Sequence, residues 1–113
     1  YHLFLKFTLS TRYYMLHLYN EKPISIFTIE SDIRIRVQFC NVKMKMKPCQ
    51  FKHFHKYLTN LSKKIDDSTD NVDLLLVRDN LHITISLNHF LQLCNAIQTV
   101  MAKKFGLKSI YPN

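Results

Sequence analysis

The chain reads as an α+β fold, a duplicated ββα-ββα unit in which a mainly antiparallel sheet carries two helices on one face. Three observations predict it. Residues 33–37, 42–46 and 81–85 alternate apolar with polar side chains, the two-residue period of half-buried strands. Phe51, Phe54, Leu58 and Leu61, and later Phe90, Leu93, Ile97 and Met101, follow the three-four spacing of an apolar helix stripe. The stretch NVKMKMKPCQFKHFHKYL at 41–58 is also echoed, thirty-nine residues on, by NLHITISLNHFLQLCNAI at 80–97. The echo is of physical type more than of identity, and an ungapped internal period marks a repeated unit.

Residues 1–30 form an N-terminal extension. Lys6 and Arg12 interrupt its apolar and aromatic start, YHLFLKFTLSTRYYMLHLY, before any run reaches the roughly 18 apolar residues of a membrane span. It also lacks the small-residue cleavage site of a secretory signal. Tyr1 is not methionine, so the chain is expected to be processed, trimmed or preceded by translated sequence, with Met15 as a candidate start. The stretches HLFLKFTL, YYMLHLY and ISIFTI are expected either to add strands, with a turn at Asn20–Pro23, or to pack poorly ordered on the uncovered sheet face.

The first ββα unit spans 31–64. If Cys40 and Asn41 form a two-residue turn, Phe39 pairs with Val42, Val37 with Met44 and Ile35 with Met46, which puts six apolar side chains on one face. Ile33 continues the same alternation. Pro48 suits the first position of a helix over 48–63. The polar connection IDDSTDN at 65–71 leads to the second unit, 72–106. There Asp79 and Asn80 make the turn, both tolerant of positive φ, so that Leu76 pairs with Ile83 and Leu74 with Ile85. Ser86 is a good N-cap for a helix over 87–105, while Lys103, Lys104 and Gly106 supply a cationic last turn and a stop.

A chain of 113 residues is the size of one domain with a modest core. About nineteen inward apolar residues, each worth ~1.5–3 kcal/mol when buried, stand against backbone entropy of ~1–2 kcal/mol for every ordered residue, a thin margin for either half alone. Neither half is expected to fold alone, so residues 1–113 are read as a single domain whose units share one core about an approximate two-fold axis.

From Ile33 to Met101 the chain resembles a small uncharacterised family of bacterial proteins built from two ββα units, whose helices start with Phe-bearing segments like PCQFKHFHKYL and LNHFLQLCNAI. The family's Cys-x-x-Cys ahead of the first hairpin is absent here. The resemblance therefore implies a fold and no activity.

Charge carries the functional expectation. The chain has a net charge of +8, which favours acidic partners. Between Ser31 and Lys64, nine Lys and Arg stand against Asp32 alone, so the first unit carries the whole excess. The predicted register sets Arg36 opposite Lys45 and Arg34 opposite Lys47 on the face away from the helices, with Lys43 beside them. Like charges directly across a strand pair are unfavourable, on the ~0.2–1 kcal/mol scale of cross-strand pairs. An anion lying across the hairpin offsets that cost, and a phosphate backbone is the commonest such anion. Arg34, Arg36, Lys43, Lys45 and Lys47 are the expected anion-binding residues. The opposing reading is a solvated face whose lysines guard the sheet against edge pairing. The hairpin shows no interleaved aromatic residues for base stacking. On the second hairpin, Leu75 and Val77 stand beside His82 and Thr84 as an apolar outer patch, either covered by the N-terminal strands or forming a homodimer interface.

Other chemistry finds little footing. The chain has one Gly and thus no Gly-rich phosphate loop, and no recognisable nucleophile context. Cys49 and His53 share a helix face, but zinc needs three or four convergent ligands and no second pair has suitable spacing. Asp66, Asp67 and Asp70 lack the Gly and terminal Glu of a calcium loop. No metal, cofactor or catalytic residue is expected. Three cysteines, an odd number, point to free thiols in a reducing, cytoplasmic setting. The expected protein is a small non-enzymatic binding or regulatory module with a basic hairpin face for an anionic partner such as nucleic acid, and without membrane attachment. The alternative is a homodimeric interaction domain using Leu75 and Val77.

Overall fold

The computed structural model of the chain describes residues 15–76 and 81–106. Eight elements follow one another: Met15–Glu21 (β1), Ile24–Ile29 (β2), Asp32–Phe39 (β3), Val42–Met46 (β4), Pro48–Ser62 (α1), Asn71–Leu76 (β5), Leu81–Ser86 (β6) and Leu87–Phe105 (α2). The α+β class and the ββα-ββα order stand as expected. The period is visible in the element starts, because β4 and β6 begin at Val42 and Leu81 and the helices at Pro48 and Leu87, each pair thirty-nine residues apart.

All pairings among the described residues are antiparallel, divided between a four-stranded sheet β1-β2-β3-β4 and a separate pair β5-β6. Residues 15–29 thus enter the first sheet as strands, joined through the turn at Lys22 and Pro23. The part of the N-terminal expectation that falls on residues 1–14 lies outside the described residues.

The first hairpin has the expected register, Phe39 with Val42, Val37 with Met44 and Ile35 with Met46. Its turn places Cys40, not Asn41, in the left-handed region at φ 53, and the Cys40 N–H donates to the Pro23 carbonyl at 3.2 Å. Ile33 is not buried as the alternation leads one to expect but 76% exposed, two residues beyond Ile35, the last residue of β3 paired with β4. The β2–β3 pairing is irregular beside it: Phe27 meets Arg36 and Ile29 meets Asp32, so one residue on β2 faces three on β3. Such a bulge bends the strand.

The second hairpin differs in register. Leu76 pairs with Leu81 and Leu74 with Ile83, two residues from the expected pairing, and the expected turn residues Asp79 and Asn80 lie outside the described residues. A shift of two leaves every side chain on its face. For that reason Val72, Leu74 and Leu76 are still buried.

Helix boundaries reflect local chemistry. Pro48 occupies the first turn of α1, and Gln50 Oε1 accepts from the Lys47 N–H at 2.8 Å, half of a capping box; an ammonium at the N-cap has no lone pair to complete it. Ser86 Oγ accepts from the His89 N–H at 3.2 Å to cap α2. Gly106 ends α2 at φ 65, where a Cβ would be strained. Between the units, Asp66 Oδ1 accepts from the Ser68 N–H and hydroxyl at 2.9 and 2.6 Å, so this carboxylate of the connection serves its own turn.

Both helices contribute to one contiguous core. α1 lies on β3 and β4, and α2 lies on β1 and β2 and reaches β5 and β6. Phe51 and Phe90, one period apart, are both fully buried, and the buried side chains of both units belong to a single cluster. The helices also touch each other, through the rings of Phe51 and Phe105, 6.4 Å between centroids, and a 2.8 Å hydrogen bond between His55 Nε2 and Gln98 Oε1. Lys103 does more than complement the helix dipole, since its Nζ donates to the Leu18 carbonyl at 3.1 Å, where the β1–β2 pairing is irregular.

Candidate anion-binding face

The face of the four-stranded sheet opposite the helices is built by strand parity. Ile35, Val37 and Phe39 point into the core, so Arg34, Arg36 and Gln38 project to the other side. On β4 the same rule sends Met44 and Met46 inward and leaves Lys43 and Lys45 outside, fully exposed. Arg36 lies directly opposite Lys45, and Gln38 opposite Lys43. Lys47, also exposed, stands just past the end of β4 as the N-cap of α1. No acidic residue occupies the first turn of that helix, so its positive dipole end adjoins the cations. Arg34, Arg36, Lys43 and Lys45 are therefore on one side of one hairpin with Lys47 at its end, and the expected apposition of Arg34 and Lys47 falls beyond the last pair of the register, Ile35 with Met46.

They are not equivalent. Asp32, Arg34 and Arg36 share a face of β3 at intervals of two residues, and the carboxylate draws in both guanidinium groups. Asp32 Oδ2 accepts from Arg34 Nη2 and from Arg36 Nη2, each at 3.0 Å, while Oδ1 accepts from the Arg34 N–H at 3.0 Å and from its Nε at 3.1 Å. These bonds hold the Asp32 carboxyl far below the usual carboxylate range, with the Arg34 side chain the largest cause, and raise the Arg34 pKa in return. Arg36 Nε is buried with no acceptor among the described residues. Lys43, Lys45 and Lys47 form no ion pair among the described residues.

The Arg36–Lys45 apposition thus has an offset within the chain itself, the Asp32 carboxylate. The alternation D-x-R-x-R at 32–36 is the signal that foretells this group. Counting Asp32 only as one negative charge in a basic segment passes over its place on the same face as both arginines.

Among the described residues, tertiary pairing also brings aromatic rings to this face. β2 brings Phe27 beside Arg36, but Phe27 is only 6% exposed and lies against His17 of β1, with centroids 5.6 Å apart. It offers no open ring to a base.

On the second hairpin Leu75 is opposite His82 and 41% exposed. Its backbone N–H donates to Tyr57 Oη of α1 at 2.9 Å, so the strand is anchored while the side chain faces outward. Val77, the other expected interface residue, lies outside the described residues. Neighbouring Asp73 and Thr84 are joined by a 2.6 Å hydrogen bond.

Among the described residues no three His, Cys, Asp or Glu side chains converge as metal ligands, and no helix is long and apolar enough to cross a membrane. Cys40, Cys49 and Cys94 are free thiols. The chain matches no family model, no curated protein and no solved structure.

Proposed function

We propose that the chain is a small, non-enzymatic binding module of the cytoplasm whose basic hairpin face meets an anionic partner, nucleic acid before others. The observation that supports this reading is the row of Lys43, Lys45 and Lys47, exposed along β4 and its continuation and without a carboxylate partner among the described residues. Arg34 and Arg36 add a reserve of charge held by Asp32. Five phosphate contacts give a log–log salt slope of about −4.5, whereas three lysines acting alone give about −2.7. The test is retention of the purified protein on immobilised nucleic acid across a salt series. Retention that falls with the shallower slope, and falls further for Lys45→Glu, supports the reading; no retention at low salt sinks it.

A second reading has its own observation, the outward Leu75 side chain on a strand that Tyr57 holds in place. A homodimer through this patch would be seen by sedimentation as a species of twice the monomer mass that Leu75→Asp dissociates. A monomer at high concentration removes it.

A further inference from the structure

Resting on the anion-binding reading, we infer that the partner is duplex nucleic acid recognised through the phosphates of one strand, without reading of base sequence. Three properties of the face lead there. Lys43, Lys45 and Lys47 recur every second residue along β4 and its continuation, a step of ~6.6–6.8 Å. That step is comparable with the spacing of successive phosphates along one strand, so a backbone following β4 meets an ammonium at each phosphate.

Base recognition in the major groove relies above all on arginine, whose fork takes guanine bidentately. Arg34 gives Nε and Nη2 to Asp32, and Arg36 gives it one Nη2 at 3.0 Å while its own Nε is buried without an acceptor among the described residues. The remaining cations are lysines, compact point charges suited to phosphate and poor at planar bidentate contacts. Neither arginine presents an open Nε–Nη fork to a base edge.

Single strands are held by stacking bases on open aromatic rings. Among the described residues, the phenyl ring that the sheet brings to this face, Phe27, is covered, and the exposed ring beside it is the imidazole of His17. One small ring beside a row of cations leaves charge as the main attraction, and charge favours the polyanion of higher linear density. A duplex carries one phosphate per ~1.7 Å of axis, and its counterion release per contact exceeds that of a single strand, ~0.9 against ~0.7.

The experiment uses the full chain and three fluorescent 16-mers: a duplex of G·C pairs only, a duplex of A·T pairs only, and a mixed-sequence single strand. Binding is followed by anisotropy from low to moderate salt. The two duplexes are expected to bind within about two-fold of each other and the single strand several-fold more weakly, with a duplex slope near −2.7. Lys45→Gln is expected to lower the duplex slope by about 0.9; its side chain is exposed and outside the core, and a thermal melt matching the parent confirms an intact fold. A preference above ten-fold between the duplexes, or a single strand bound more tightly than either, overturns this inference while leaving the anion-binding reading in place. No binding to any of the three overturns both.

Discussion

Asp32 and Arg36 stand four residues apart on one face of β3, and the carboxylate Oδ2 lies 3.0 Å from the guanidinium Nη2. Arg34 reaches the same oxygen at the same distance, so one acid restrains two of the five cations expected to meet a partner. Removing the acid charge frees both. Asp32→Asn is expected to tighten binding to a duplex and to steepen the salt slope from about −2.7 towards −4.5. An unchanged slope would show that the arginines stay away from the ligand even when released.

The same carboxyl makes stability depend on pH. Its folded pKa is depressed below the ordinary 3.8 by the hydrogen bonds from Arg34 and Arg36, and the proton is therefore bound more readily by the unfolded chain. The stabilisation is complete above the ordinary aspartate value and is lost as pH falls through the depressed one. Thermal midpoints of the parent and Asp32→Asn should differ at neutral pH and converge in strong acid. A difference that persists at the acid end would point to a contact other than the charge.

Cys40 holds a left-handed backbone at φ 53 in the tight turn between β3 and β4, a conformation that costs ~1–2 kcal/mol for a side chain with a Cβ. Cys40→Gly removes that strain at a smaller cost in unfolded-chain entropy. A net gain of ~0.5–1 kcal/mol is expected, read as a higher urea midpoint with an unchanged slope. A lower midpoint would mean that the turn does not strain Cys40.

Phe51 and Phe90 occupy equivalent places in the two units and are both fully buried in the same cluster. Truncation of either to alanine is expected to cost ~3–5 kcal/mol. Because the core is shared, each variant should still unfold in one transition seen alike by far-UV circular dichroism and tyrosine fluorescence. Two separated transitions would show that the units fold independently.

The three thiols should react at different rates. Cys40 and Cys49 are exposed, whereas burial pushes the Cys94 thiol up from 9.0 to about 11. Since the thiolate is the nucleophile, alkylation at pH 8 should consume two thiols quickly and the third slowly, with denaturant abolishing the difference. Being raised on folding, the Cys94 pKa also makes the fold lose stability as pH climbs from 9.0 towards 11. Three equal rates in the native protein would contradict the packing of α2 around this residue.

Much of the architecture is local and so was determined by sequence alone. Pro48 opens α1, Ser86 caps α2 and Gly106 ends it, because the chemistry of each terminus involves residues a few positions apart. The first hairpin belongs here too: a two-residue turn fixes its register, and Arg36 consequently faces Lys45. Where sheet pairing left more freedom, only tertiary structure decided. The second hairpin slid by two residues because either register buries Leu74 and Leu76, and period alone does not distinguish them. Ile33 stayed exposed because β4 ends opposite Ile35 and leaves it beyond the last pair, and Phe27 reached the cationic face only through the pairing of β2 with β3. Alternation along β3 assigns side chains to a face, but whether Arg34 and Arg36 extend to a partner or fold back onto Asp32 depends on a three-dimensional competition for one carboxylate.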